Sequence, residues 1–351
     1  MVDSRGPLRA AVIGGGMGGQ LSANALRQSP LFEPVAMADL RPAVCAELEA
    51  KYPGIRTFDS HRALFENCPV DVVCVSTFPP SHEEVTIDAL NTLPLKGILV
   101  EKPLGHTAAS GRRLLEAIKA RRLPMVVPHN LLALATPLII LDRVRAGDLG
   151  ELKLVEIQNA KWDIINAGIH WLNYFVTLTD NAPIDHVLAQ ADKTTRTYRD
   201  GMQVETIAVT SAQTTSGIRV VMHTGDDTVV NVPGKDIVFR LIGTRGLIEF
   251  YGWDSGYRFN TEWIVPPGFP VSGHRRHLEN LAAMIENGTA DYALPDSSLL
   301  ALEIVEAAYL SARHCCRVHF PLESFVPPPD NDWNPGEPYG GVGGGRDGRK
   351  L

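Results

Sequence analysis

Short apolar segments alternate with amphipathic segments along the first third of the chain. The apolar runs predict buried strands at residues 8–13, 34–38, 70–75, 96–100 and 124–127. Between them, apolar positions recur at helical spacing in residues 20–28, 43–52, 82–90 and 110–121. Strands that alternate with helices in this way indicate βαβ crossovers and a parallel sheet covered on both faces. The pattern predicts an N-terminal, doubly wound α/β domain of the Rossmann type in residues 1–128.

The pattern changes after residue 135. Alternating apolar and polar positions predict strands at residues 152–157, 186–190, 206–212, 218–223 and 247–250. Helical spacing returns at residues 137–146, 167–178, 271–286 and 297–313. This predicts a second α/β domain in residues 129–325, built on an open, largely antiparallel sheet. Residues 326–351 are rich in Pro and Gly, so we expect a C-terminal tail without a core of its own.

Composition narrows the possible functions. The 351 residues include 33 Lys+Arg and 40 Asp+Glu, which gives a formal net charge of −7 and argues against nucleic acid as the main partner. No apolar run approaches the ~20 residues of a membrane span. The five cysteines form no Cys-x-x-Cys pair and the first ten residues lack an apolar signal-peptide core, so we expect a cytoplasmic protein without a metal site.

A glycine motif directly follows the first predicted strand and opens a helix. Gly14, Gly16 and Gly19 have the Gly-x-Gly-x-x-Gly spacing, with Met17 and Gly18 between them. The glycines allow a tight turn and close approach of a pyrophosphate, and the helix N-terminus favours negative charge. This motif predicts a dinucleotide site.

An acidic residue completes the dinucleotide signature. Asp39 ends the second predicted strand, twenty positions after Gly19. Its carboxylate can accept hydrogen bonds from the adenosine ribose and repel a 2′-phosphate, which favours NAD over NADP. Leu40 and Arg41 follow and would border the same half of the cofactor; Arg41 either softens this preference or faces solvent.

Six motifs in a fixed order resemble the Gfo/Idh/MocA oxidoreductase family. They are the glycine motif, residues 77–82, Glu101-Lys102-Pro103, Gly168-Ile169-His170, residues 241–249 and residues 301–308. The resemblance covers residues 8–321. It implies a Rossmann domain followed by an α/β domain whose open sheet forms dimers or tetramers. It also implies a nicotinamide cofactor and a sugar or polyol substrate.

The resemblance also implies roles for single residues. Lys102 would touch both the reacting hydroxyl and the cofactor ribose, and Pro103 would carry a cis peptide bond. Asn130 would meet the nicotinamide ribose or carboxamide. The remaining implied cofactor contacts are Ser76, Thr77, Phe78, Pro80, His82 and Glu101.

The chain departs from the family pattern on the predicted catalytic helix. The family commonly has Asp-x-Gly-x-His, where this chain has Asn166 and His170. His170 can act as a general base, whereas Asn166 can hydrogen-bond but cannot accept a proton. Asn173 stands where the family often has an acid. We favour a site that runs on Lys102 and His170, with Asn166 orienting the substrate.

Two other interpretations of this departure stay open. Asp163 supplies the missing charge if the helix begins early enough, but points elsewhere if Asn166 caps the helix. Alternatively, the chemistry differs from that of a simple dehydrogenase. Lys161 and Trp162 precede the helix and are candidate substrate contacts, since sugar rings stack on aromatic side chains.

We predict an NAD-dependent oxidoreductase that transfers hydride between nicotinamide and a carbinol of a sugar, cyclitol or glycoside. One alternative is a glycoside-cleaving enzyme that oxidises its substrate transiently, eliminates the aglycone, adds water and reduces the product again. Another is a non-catalytic sensor of NAD or sugar, for which the tail residues Trp333 and Tyr339 would be a partner-binding feature.

Overall fold

The computed structural model describes residues 6–192, 197–230, 232–253, 255–326 and 336–338. The chain folds into two compact units. The first contains residues 1–105, 109–128 and 271–296, and the second contains residues 106–108, 129–270 and 297–351. The sequence places residues 271–296 in the predicted second domain, 129–325, whereas in the structure they belong to the first unit.

The strands and helices follow in chain order. The strands are β1 (Leu8–Ile13), β2 (Phe32–Ala38), β3 (Arg56–Phe58), β4 (Val72–Val75), β5 (Gly97–Val100), β6 (Met125–Val126), β7 (Leu152–Ala160), β8 (Ile184–Ala191), β9 (Thr197–Arg199), β10 (Met202–Val204), β11 (Ile207–Thr214), β12 (Arg219–Gly225), β13 (Ile237–Gly243), β14 (Leu247–Phe250), β15 (Tyr257–Phe259), β16 (Glu262–Ile264) and β17 (Val318–His319). The helices are α1 (Met17–Gln28), α2 (Pro42–Lys51), α3 (His61–Asn67), α4 (His82–Thr92), α5 (Ala108–Ala120), α6 (Ala135–Arg145), α7 (Ile169–Leu178), α8 (Gly273–Asn287) and α9 (Ala293–His314).

The first unit is built on a six-stranded parallel sheet in the order β3-β2-β1-β4-β5-β6. All four residues of β4 and of β5 are buried, as expected for strands with helices on both faces. The order reverses between β1 and β4. In such sheets, ligands bind beyond the carboxyl ends of the strands at this reversal.

Helix α8 completes the first unit from a distant part of the chain. Its residues Leu278, Leu281 and Ala282 belong to the same buried core as the sheet. A Cβ atom added at Gly97 in β5 would lie only 2.8 Å from Ile285, so α8 packs closely on this strand. The α8 N-terminus is therefore held beside the sheet that carries the glycine motif.

The second unit is built on a nine-stranded sheet in the order β16-β15-β14-β13-β7-β12-β11-β8-β17. Only β7 and β12 are parallel neighbours; the other described pairs are antiparallel. A π-helical turn (Ile164–Gly168) leads into α7, whose Trp171 and Tyr174 pack against Phe239 and Phe250. The unit's core thus holds the helix that bears His170 in place.

The predicted fold class is confirmed: a doubly wound parallel sheet is followed by an open, largely antiparallel sheet. Eight elements of seven residues or fewer were not predicted from the sequence: β3, α3, β9, β10, β13, β15, β16 and β17. Among the described residues, no helix is both long and apolar enough to cross a membrane. The predicted tail, with Trp333 and Tyr339, lies outside the described residues except at 326 and 336–338.

Candidate active site

The glycine turn of the first unit has a geometry that side chains would prevent. Gly14 has φ +101°, and a Cβ atom there would lie 2.3 Å from the Ser76 carbonyl oxygen. A Cβ atom on Gly19 would lie 1.7 Å from the Gly14 carbonyl oxygen. By contrast, a Cβ atom on Gly16, the N-cap of α1, would have no described atom within 4 Å. The turn is therefore closed on its protein side and open at the helix N-terminus, where a pyrophosphate fits.

Asp39 is bonded to this glycine turn. Its Oδ2 accepts a hydrogen bond from the Gly15 backbone N–H at 2.8 Å, and its Oδ1 accepts from the Arg41 backbone N–H and Nε. Burial raises the pKa of Asp39, but the hydrogen bonds from Arg41 and Gly15 outweigh that effect and lower the pKa below its usual value. Asp39 is therefore ionised, and its charge lies where the ribose of a dinucleotide is expected.

Three apolar side chains stay exposed along the carboxyl edge of the sheet. Met17, Leu40 and Phe78 follow β1, β2 and β4 and are 55%, 80% and 42% exposed. Because these strands are neighbours and parallel, the three residues lie along one edge. An exposed apolar edge beside a phosphate-binding turn suits the flat rings of a dinucleotide.

Hydrogen bonds between hydroxyl groups stabilise the loop after β4. The Ser76 hydroxyl lies 3.4 Å from that of Ser22, and the Ser81 hydroxyl donates to Thr77 Oγ1 at 2.8 Å. Pro80 lies in a short 3-10 turn (Pro79–Ser81) that leads into α4. The structure therefore places Ser76, Thr77 and Pro80 on one loop at the carboxyl edge of the sheet.

His82 joins this loop to the next one. It is fully buried, with Nδ1 2.9 Å from the Pro103 carbonyl oxygen and Nε2 3.0 Å from the Thr77 carbonyl oxygen. Burial lowers the pKa of His82, although its carbonyl partners favour the protonated form. The Lys102–Pro103 peptide bond is cis. His82 thus braces the segment that carries Lys102.

Glu101 lies at the end of β5, next to Lys102, and is 8% exposed. Its Oε1 accepts a hydrogen bond from His274 Nε2 at 2.9 Å. A Cβ atom on Gly18 would lie 3.2 Å from the same oxygen, so Glu101 also packs against the first turn of α1. Burial raises the pKa of Glu101, but the hydrogen bond and charge of His274 outweigh it and lower the pKa.

The sequence did not place His274 in the site. In the structure, His274 and His277 are 5% and 2% exposed. The signal was present: His274 precedes Leu278 and Leu281 by four and seven positions, which places it on the buried face of α8.

In the second unit, His170 lies in a buried aromatic pocket. It is 6% exposed, and its ring meets that of Trp253 edge-on with centroids 5.2 Å apart. Its Nδ1 lies 3.3 Å from His129 Nδ1, and His129 Nε2 lies 2.9 Å from the Ser298 hydroxyl. This chain of contacts fixes the orientation of the His170 ring.

The residues just before α7 form a buried network around Asp163. Asp163 caps the π-helical turn: its Oδ1 accepts from the Asn166 backbone N–H at 2.8 Å and from Asn166 Nδ2 at 2.9 Å. Its Oδ2 accepts from Arg199 at 2.6 Å, and the Arg199 guanidinium lies 4.6 Å from the centroid of the Trp162 ring. Lys161, by contrast, points outward and pairs with Asp236.

The structure also shows where the side chain of Asn173 is bonded and where Asn130 lies. Asn173 is fully buried and donates to the Ser297 hydroxyl at 2.8 Å. Asn130 begins a 3-10 turn (Asn130–Ala133) in the second unit. Among the described residues, His61, Glu84 and Asp88 have ligand atoms close enough for a metal, but Arg62 already donates to both carboxylates.

Comparisons with known proteins agree with this geometry. Residues 8–129 match the family model GFO_IDH_MocA, described as an oxidoreductase family with an NAD-binding Rossmann fold. The rhizopine catabolism protein MocA of Rhizobium meliloti is 28% identical over 202 residues. That alignment covers 53% of this chain and 62% of the relative, less than two thirds of its length.

Residues 8–129 belong to the Rossmann domain of the Gfo/Idh/MocA oxidoreductase family. NAD is the cofactor of this family's Rossmann domain, and the turn at residues 14–19 with Asp39 suits it.

Solved structures of the same fold cover nearly the whole chain. GenD2 from gentamicin A biosynthesis, solved with NAD, is 20% identical, has a TM-score of 0.75, and is aligned over 91% of this chain and 97% of its own. The WlbA dehydrogenase of Chromobacterium violaceum, solved with NADH and UDP-GlcNAcA, is 18% identical, has a TM-score of 0.76, and is aligned over 91% and 98%. The fold of these two structures therefore covers residues of both units.

Proposed function

We propose that this Gfo/Idh/MocA protein is an NAD-dependent dehydrogenase that acts on a carbinol of a sugar, cyclitol or glycoside. The observation that supports this proposal most strongly is the position of Lys102. It follows β5 at the carboxyl edge of the sheet whose first strand leads into the glycine turn. Substrate and cofactor groups meet at this edge in open α/β sheets. The relatives solved with NADH and a nucleotide sugar support the substrate class.

The proposed cofactor contacts divide along the sheet edge. The backbone N–H groups of the turn at residues 14–19 would hold the pyrophosphate, and Asp39 would accept from the adenosine ribose. Leu40, Arg41 and Phe78 would border the rings. When bound, nicotinamide supplies a hydride acceptor. Two electrons leave the carbinol carbon as hydride, so the residues of this chain must take up the hydroxyl proton.

Lys102 and His170 are proposed to manage that proton. The ammonium of Lys102 would bind the reacting oxygen and stabilise negative charge as it forms there. His170 would accept the hydroxyl proton, since a neutral imidazole nitrogen can act as a general base. The His129–Ser298 chain holds the His170 ring in one orientation.

Asn166 is proposed to orient the substrate. Its Nδ2 donates to Asp163, which fixes the direction of the side-chain amide. An amide held in this way can accept or donate a hydrogen bond to a substrate hydroxyl but cannot take its proton. Trp162 is 38% exposed and offers a ring face to the C–H groups of a sugar.

A second candidate is a glycoside-cleaving reaction with transient oxidation. It is favoured by one observation: both positions where the family has carboxylates carry amides, and Asn166 and Asn173 are each held by a buried hydrogen bond. The set of side chains that can accept a proton therefore differs from that of the usual family member. Three further points stay predictions from the sequence. They are a role as a sensor of NAD or sugar, a cytoplasmic location and assembly into a homo-oligomer.

A two-channel assay tests these proposals. Purified protein is mixed with NAD and a panel of free sugars, cyclitols and nitrophenyl glycosides, while NADH absorbance and nitrophenol release are recorded together. NADH formed with a free polyol supports the dehydrogenase. Nitrophenol released only when NAD is present, without net NADH, would replace it with the glycoside-cleaving enzyme. NAD binding without activity on any member would contradict both.

A further inference from the structure

Two buried carboxylates hold the start of the helical segment that carries Asn166 and His170. Asp163 is 1% exposed and Glu205 is 3% exposed. Asp163 Oδ1 accepts from the Asn166 backbone N–H at 2.8 Å. Glu205 Oε1 accepts from the Ile164 backbone N–H at 2.7 Å, across 41 positions of sequence. Glu205 belongs to none of the motifs that suggested the site.

These bonds decide where the segment begins. The first N–H groups of a helix have no partner inside it and must be satisfied by caps, water or ligands. Here the segment is buried, so water is largely excluded from Ile164 and Asn166, which are 1% and 4% exposed. The two acidic side chains take this role. A shift of either one moves the first turn, and with it the side chains of Asn166 and His170.

Asp163 and Glu205 have different partners: a guanidinium lies against Asp163 and a tyrosine hydroxyl against Glu205. Arg199 on β9 donates to Asp163 at 2.6 Å, and Tyr309 on α9 donates its hydroxyl to Glu205 Oε2 at 2.8 Å. Burial, and next to it the negative charge of Asp163, raise the pKa of Glu205 to about 8. Burial and Glu205 also raise the pKa of Tyr309 well above its usual value. At neutral pH, Glu205 therefore carries a proton, while Asp163 is paired with Arg199.

A cavity lies beside Tyr309, the hydrogen-bond partner of Glu205. Tyr309 lines a cavity of about 90 Å³, together with Thr107, Glu306 and Arg313. This volume exceeds what one water molecule needs. The hydrogen-bond partner of Glu205 therefore borders a space that water can enter.

We propose that Glu205 is a positioning residue for Asn166 and His170, and that its ionisation loosens the turn on which they stand. The proposal rests on the proposed function insofar as it gives His170 a part in the reaction. It assigns Asp163 to capping and charge balance with Arg199, not to the substrate. The direct structural consequence, a turn whose order depends on pH, requires no substrate to observe.

Hydrogen–deuterium exchange of the full-length protein tests the proposal. The peptide that spans residues 163–170 is followed from pH 6 to pH 9 in wild type, Glu205→Gln and Glu205→Ala, after correction for the intrinsic exchange rate. Gln keeps the acceptor for Ile164 and mimics the protonated acid, whereas Ala removes it. Glu249→Gln is the matched control, because Glu249 is 4% exposed in the same unit and also bonds a tyrosine hydroxyl, that of Tyr251.

We expect exchange of residues 163–170 to quicken in wild type as the pH rises towards about 8, to level off above it, and to stay flat in Glu205→Gln. Glu205→Ala should exchange faster at every pH, by about tenfold or more. Glu249→Gln should behave like wild type in this peptide. The same pH dependence in wild type and Glu205→Gln would overturn the proposal even if Glu205→Ala does not fold.

Once a substrate is known, the kinetics give a second readout. Glu205→Gln should remove an ionisation near pH 8 from the kcat profile while changing KM less. Wild type and Glu205→Gln with identical kcat profiles would contradict the role in positioning His170. The exchange experiment is independent of this result, so a missing substrate cannot be mistaken for a failed positioning role.

Discussion

Glu101 accepts a hydrogen bond from His274, which lies 173 positions later in the chain. The bond ties the N-terminus of α8 to the residue beside Lys102. Glu101 also lies against Gly18 in the first turn of α1. One buried hydrogen bond thus supports both the glycine turn and the segment that carries the proposed catalytic lysine.

This relationship predicts a cofactor-binding defect in His274 variants. In His274→Ala, Glu101 keeps its burial but loses its hydrogen-bond donor, so the glycine turn should shift. We expect the Kd for NAD, measured by calorimetry, to rise about tenfold to a hundredfold. His274→Gln restores a donor and should recover part of the loss. His277→Gln, at a buried histidine on the same helix, is the control; NAD binding unchanged in His274→Ala would contradict the assignment.

Lys102→Ala tests the proposed chemistry. Without the ammonium at the reacting oxygen, turnover should fall by about 10²–10⁴-fold while the Kd for NAD stays nearly constant. Lys96→Ala, which removes a lysine of the same unit paired with Asp71, should retain full turnover. Steady-state rates and calorimetry give both quantities. Full activity in Lys102→Ala would remove this residue from the mechanism.

Asp39 and Arg41 should influence cofactor choice in opposite directions. Asp39→Asn removes the negative charge that repels a 2′-phosphate, so the preference for NAD over NADP should fall by about tenfold or more. Arg41→Ala removes a cation from the same place and should weaken NADP binding further, with NAD binding little changed. Titrations with both cofactors check this pair; equal preference in wild type and Asp39→Asn would refute it.

Stability should depend on pH through Glu205. Its pKa is about 8 in the folded protein, above the ordinary value of 4.5. The folded state therefore holds a proton that the unfolded chain releases, and the contribution of Glu205 to stability falls as the pH rises from about 4.5 to about 8. Glu205→Gln does not titrate. Its Tm relative to wild type should therefore rise between pH 5 and pH 8; a constant difference would contradict the assigned ionisation.

The sequence predicts the parts of the site that follow one another along the chain. Gly14, Gly19 and Asp39 have fixed spacings around two strands, and the structure brings them together as the motif requires. His274 and Glu205 reach the site only through the tertiary fold. Their partners lie 173 and 41 positions away, and no local pattern encodes such a distance.

The start of the helical segment that carries Asn166 and His170 also could not be predicted from the sequence alone. The sequence left open whether Asp163 shares a face with Asn166 and His170 or points elsewhere. A π-helical turn, which no simple 3.6-residue spacing anticipates, puts Asp163 at the N-cap and bonds it to Asn166. The spacing of three residues alone could not distinguish a cap from a shared face.

Isotope transfer tests the central claim most directly. The first active polyol is prepared with deuterium on the carbinol carbon and incubated with protein and NAD, and the NADH formed is examined by mass spectrometry. We expect one deuterium per NADH in wild type and almost no NADH in Lys102→Ala. NADH that forms without the label, or label that returns to the product without net NADH, would contradict a simple carbinol dehydrogenase.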